Sequence, residues 1–146
     1  MRILGLGNEL RGDDALGILA ARKIKQARPD LQVDTPGDTA GILNCLDQGA
    51  QLILIDCLQG AGALGSLHRI DLLKDGNQKL RSAMSSHGFD LPSLLELAGN
   101  LGATPASLVL FGLEGQDFTL GQGLSALLEE NLEELCQGVI QEAQNA

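Results

Sequence analysis

Three acidic residues and one imidazole stand where chemistry is most easily built: Asp13, Asp14, Asp56 and His87. Asp13 and Asp14 follow a glycine-rich turn, Gly5-Leu-Gly-Asn-Glu-Leu-Arg-Gly12, at a predicted helix N-terminus. Carboxylates there accept free N–H groups and suit the helix dipole, so at least one of the pair is expected to be structural. Asp56 closes the apolar run Leu52-Ile-Leu-Ile55, and His87 sits in Ser85-Ser86-His87-Gly88 just before a predicted helix. Two carboxylates and one imidazole could bind a divalent transition metal, hard oxygens with a borderline nitrogen leaving positions open. No HExxH or other local ligand pair occurs, so tertiary structure would have to assemble such a site. The same residues also allow a nucleophilic reading, Cys57 or Ser86 with His87 as base. Cys57 continues the strand and suits a small buried hydrophobe, and there is no G-x-S-x-G elbow. The other histidine, His68, lies in an alternating segment on the side of Ser66 and Ile70 and is expected at the surface.

The glycines raise a further question, whether the first turn cradles a phosphate. Gly5 and Gly7 fit a dinucleotide fingerprint, but position 10 is Leu where the third glycine belongs. Asn8 and Glu9 place polar and negative groups where a pyrophosphate would approach, and no Gly-Lys-Ser/Thr is present. A net charge of −9 argues against nucleic acid, and Arg22-Lys23-Lys25-Arg28 reads as one solvated helix face. Trp and Tyr are absent, so no stacking platform for bases is on offer.

The elements that must position these residues alternate in type. Arg2 to Leu6 predicts a short buried strand, and a helical stripe runs from Asp13 to Arg28, stopped by Pro29-Asp30. Leu31 to Val33 is a second strand, and Thr39 is the expected cap of a helix holding Ile42, Leu43 and Leu46. Gln51 to Asp56 is the clearest strand, with the continuous apolar character of one buried on both faces. Ser66 to Asp71 alternates as a half-exposed strand does; a polar connector over 74–86 and a helix from about Asp90 to Leu101 follow. Ala106 to Phe111 is another buried strand, and Leu124 to Ile140 marks a long amphipathic helix.

This order predicts an α/β domain of three layers, a largely parallel twisted sheet with helices on both faces. The 66–71 strand follows its neighbour without a helix and is the one free to run antiparallel. In such folds ligands gather beyond the carboxyl ends of the strands, which gives weight to Asp14 and Asp56. At 146 residues, 44% hydrophobic and 20% charged, the chain reads as one ordered domain over 1–146. Its three well-separated cysteines suit a reduced, cytoplasmic setting. No run reaches the roughly 18–20 apolar residues of a membrane span, and no signal-peptide pattern opens the chain.

Four motifs together give the chain a family resemblance. G-x-G-N-x-L-x-x-D-D-x-x-G is present as Gly5, Gly7, Asn8, Leu10, Asp13, Asp14 and Gly17, and the strand Asp as Asp56. Ser85-Ser86-His87 precedes a Leu-rich helix, and Phe111-Gly-Leu-Glu-Gly115 is followed by Gly121 to Ser125. In these motifs, in this order, the sequence resembles the NiFe-hydrogenase maturation proteases, endopeptidases that trim the C-terminus of the hydrogenase large subunit. The resemblance implies that Asp14, Asp56 and His87 form the metal-recognising, catalytic trio, with Asp13 left to capping and loop structure. It also implies that nickel arrives with the large-subunit precursor rather than as a resident cofactor. A non-enzymatic nickel carrier of the same fold is the rival reading. Two departures stand out. Pro36 occupies the place of an acid often found before the Gly-Gly-Thr turn, here Gly37-Asp38-Thr39, with Asp34 and Asp38 the nearest substitutes. Ala126 stands after Leu124-Ser125 where the family often has Pro.

Overall fold

The computed structural model describes residues 1–75 and 91–146, so Ser85, Ser86 and His87 lie outside the described residues. Five strands form one sheet: β1 (Arg2–Gly5), β2 (Gln32–Asp34), β3 (Gln51–Leu58), β4 (Leu67–Asp71) and β5 (Ser107–Glu114). Their spatial order is β2-β1-β3-β5-β4. The β1–β2, β1–β3 and β3–β5 pairs are parallel, and β4 alone runs antiparallel, against β5. The expected α/β sheet is therefore present, with the antiparallel strand where no helix intervenes.

Side-chain alternation divides the sheet into two faces. Ile3, Ile53, Ile55, Val109, Phe111 and Leu113 pack on α1 (Leu16–Ala27) and the long C-terminal helix, α4 (Ala126–Gln144). Leu4, Leu52, Leu54, Leu108 and Leu110 pack on the other side, against Ile42 of α2 (Thr39–Leu43) and Leu94 and Ala98 of α3 (Leu91–Asn100). Seven of the eight β3 residues are buried, because neighbours cover both its edges and helices both its faces. No described helix is long and apolar enough to cross a membrane.

Four local expectations are corrected. β3 and β5 run on to Leu58 and Glu114, so Asp56 lies inside its strand rather than at its end; the β3–β5 register continues unbroken through Leu58↔Glu114. Asp38, not Thr39, is the N-cap of α2, its Oδ1 accepting the Gly41 N–H at 2.8 Å. α1 is preceded by a separate 3-10 turn, Gly12–Ala15, which carries Asp13 and Asp14. Neither the turn nor α1 has a side-chain cap of its own, so Asp13 does not cap the helix it precedes.

Gly17 explains how α1 can lie so near the sheet. A Cβ at this position would collide with the carbonyl oxygens of Leu6 and Ile55. The same approach brings the Gly12–Ala15 turn against β3, which places Asp14 beside the carboxyl half of the central strand.

Candidate active site

The site is built on the parallel strands, whose carboxyl ends share one edge of the sheet. Gly7 makes the first turn off β1 with φ of 115°, a left-handed backbone where glycine carries no steric penalty. A Cβ there would also strike the main-chain oxygen of Asp14. The turn thereby folds the chain back so that the Asn8 N–H donates to Asp14 Oδ2 and to the Asp14 main-chain oxygen, each at 3.1 Å. Asp14 is only 4% exposed.

Asp56 is 7% exposed, and its Oδ1 accepts the Cys57 N–H at 2.8 Å. By strand alternation it shares the face of Leu54 and Leu58, the side on which α3 packs. Burial pushes its carboxyl up to about 8, the Asp14 charge adds to the rise, and the Cys57 N–H opposes it. A carboxyl that titrates near neutrality beside a second buried carboxylate is a group able to hold or release a proton. Asp14 and Asp56 are thus brought together. His87 lies outside the described residues, although α3, which begins shortly after it, packs on the Asp56 face. Among the described residues no group of three or more His, Cys, Asp or Glu is arranged to hold a metal ion.

The remaining candidates separate from this pair. Cys57 points to the opposite face, into the core with Phe111 and Leu113, and burial followed by the Asp56 charge pushes its thiol far up. A thiolate nucleophile is not available there. His68 is half-buried rather than at the surface, with Nε2 2.8 Å from Ser66 Oγ. Ser66 donates its own proton to the Ala63 carbonyl at 2.5 Å, so the imidazole serves as donor in this pair and does not activate the serine. Asp38 is committed to the α2 cap, and Asp34 is an exposed strand-end residue 3.8 Å from Arg2 Nε.

Glu114 is a buried acid whose local role the sequence reading did not identify. Its Oε1 accepts the Gly60 N–H at 2.6 Å and its Oε2 the Ala61 N–H at 3.0 Å, fixing the loop that leaves β3 just beyond Asp56. The available signal was its position in Phe111-Gly-Leu-Glu-Gly115, a buried strand ending in an acid.

A family model described as hydrogenase maturation protease matches residues 33–142. The chain belongs to the hydrogenase maturation protease family. The matched stretch contains Asp56 and begins after the Asp14 turn. Solved structures extend the likeness over that turn as well. The hydrogenase maturating endopeptidase HybD from Escherichia coli superposes with a TM-score of 0.84 at 24% identity, covering 99% of this chain and 93% of that one. The NiFe hydrogenase maturation protease HybD from Thermococcus kodakarensis gives 0.74 at 22% identity, covering 98% and 99%. An endopeptidase from Escherichia coli gives 0.77 at 26% identity, covering 95% and 90%. At identities near one quarter these likenesses speak to the fold, while the family match carries the membership. Comparison with curated protein sequences gave no match.

Proposed function

We propose that this chain is the endopeptidase that removes the C-terminal peptide from the nickel-loaded large-subunit precursor of a NiFe hydrogenase. Asp14, Asp56 and His87 are its site residues, and nickel is recognised as part of the substrate. The observation that carries the reading is the buried Asp14–Asp56 pair at the carboxyl edge of the sheet. Two carboxylates packed together in low dielectric repel, and one holds its proton to about pH 8. A divalent cation delivered between them relieves that repulsion and releases the proton, so the pair is poised for a metal it does not own. His87 adds a borderline nitrogen to two hard oxygens, a donor set that leaves room for ligands belonging to the precursor. Hydrolysis needs a polarised carbonyl or water and a group to move protons. Nickel brought by the precursor can supply the first, and one carboxylate of the pair, freed of its proton, the second.

The test is incubation of the protein with nickel-loaded and nickel-free precursor, reading the released peptide by mass. Release from the loaded precursor alone is the expected result. Equal release from both removes nickel recognition. No release, together with tight nickel binding by the protein alone, favours the carrier reading.

A further inference from the structure

We propose that Asp13 is a positioning residue, holding Asp14 in place by tying its turn to the segment that leaves β5; this rests on the role given to Asp14 above. Asp13 is completely buried, yet its partners are main-chain groups far along the chain. Its Oδ2 accepts the N–H of Gln116 at 2.9 Å and of Asp117 at 3.0 Å, and its Oδ1 accepts the N–H of Ser125 at 2.7 Å. Its own N–H donates to the Asp117 carbonyl at 2.7 Å. Further links run alongside, with Gly121 N–H donating to the Leu10 carbonyl at 2.9 Å and a bridge pairing Arg11 with Leu120.

Ser125 is the N-cap of α4, and its hydroxyl makes no cap and finds no hydrogen-bond partner among the described residues. The capping anion at this 19-residue helix therefore comes from Asp13, where the helix dipole favours a negative charge. An ionised acceptor of three N–H groups makes charge-assisted bonds, stronger and more directional than neutral ones. The result is a clamp. β5 is fixed to β3 residue by residue through Asp56↔Gly112, and the segment after β5 is fixed to the Asp13–Asp14 turn. The path from Asp56 to Asp14 thus closes through Asp13, and loosening it frees the turn that carries Asp14 from the segment after β5.

The test compares wild type with Asp13→Asn and Ser125→Pro, assayed well below their melting temperatures and normalised to folded protein by circular dichroism. Asn keeps the shape but turns an NH2 toward N–H donors. Pro at 125 fits the observed φ of −59°, removes the N–H that Asp13 binds and sets its ring Cδ against the Asp13 carboxylate in that hydrogen's place, so it breaks the same link from the other side. It remains informative where Asp13→Asn fails to fold. Displacing a reacting group by about 1 Å costs on the order of 100-fold. The expected result is a fall in kcat of about 10- to 100-fold per folded molecule. A purely structural Asp13 would lower the melting temperature and leave kcat per folded molecule unchanged, which overturns the proposal. Amide exchange at Asn8 reads the same clamp without substrate: faster exchange in Ser125→Pro is expected, and unchanged exchange contradicts it. If wild type cleaves nothing, the functional reading fails while the exchange result still judges the clamp.

Discussion

Replacing Asp56 with Asn should make the metal-free protein more stable at neutral pH. The carboxyl is raised from an ordinary 3.8 to about 8, burial being the larger cause and the Asp14 charge the second. Between those values the folded state keeps a proton that the unfolded state has lost. Unfolding free energy therefore falls as pH rises, by up to about 1.4 kcal/mol per pH unit. Accumulated from the ordinary value to pH 7, the cost reaches roughly 4 kcal/mol, a sizeable part of a typical domain's 5–15 kcal/mol. Asn carries no charge at any pH and removes this slope. The carboxylates held below their ordinary values, Asp30, Asp117, Glu133 and Glu142, contribute in the opposite sense. Their stabilisation is lost as pH falls through their folded values, so they weigh mainly below about pH 5. The assay is urea unfolding of chelator-treated protein at pH 5, 6, 7 and 8, followed by circular dichroism. Wild type should weaken steadily over that range, and the gap to Asp56→Asn should widen by about 2 kcal/mol or more between pH 5 and 8. Parallel curves for the two proteins would mean that Asp56 titrates alike in the folded and unfolded chain and that its burial costs nothing.

Other consequences are checked more quickly. Gly17→Ala places a methyl against the Leu6 and Ile55 carbonyls and should cost about 3 kcal/mol or more, read as a lowered urea midpoint; a loss under about 1 kcal/mol would show that α1 can withdraw freely. Glu114→Gln leaves one of the Gly60 and Ala61 N–H groups without its acceptor and should cost about 1–3 kcal/mol. Cys57 and Cys136 are buried with their thiols pushed up, Cys136 to about 11, so a thiol reagent should label Cys45 alone in the native protein. Precursor cleavage should survive that labelling; rapid modification of Cys57 would revive the nucleophilic cysteine.

The sheet was legible because its strands are apolar in ways that only burial explains. Gln51 to Ile55 reads as a central strand without further help, and the missing helix before Leu67 is what permits the antiparallel β4. Strand ends were less visible. Asp56 breaks the apolar run of β3, and Gly112 breaks that of β5, yet main-chain pairing across the two carries both onward. Asp56 could be singled out as a candidate from its place on a parallel strand, and Asp14 rather than Asp13 from the family resemblance. The role of Asp13 could not be, because its partners are 103 to 112 residues away and are backbone groups that leave no side-chain signature. The constraint on Gly5 is likewise tertiary: it closes β1, and a Cβ there would collide with the Gly17 carbonyl, so the approach of α1 is what requires a glycine. His68 looked exposed by alternation alone, and the loop carrying Ser66 half-covers it.

The central claim is that Asp14 and Asp56 act together on a precursor that brings its own nickel. The most direct measurement is single-turnover cleavage of nickel-loaded large-subunit precursor by wild type, Asp14→Asn and Asp56→Asn, with the released C-terminal peptide weighed by mass spectrometry. Wild type should release the peptide rapidly, and each variant should lose at least about 100-fold while remaining folded. Cleavage at the wild-type rate by either folded variant would contradict it.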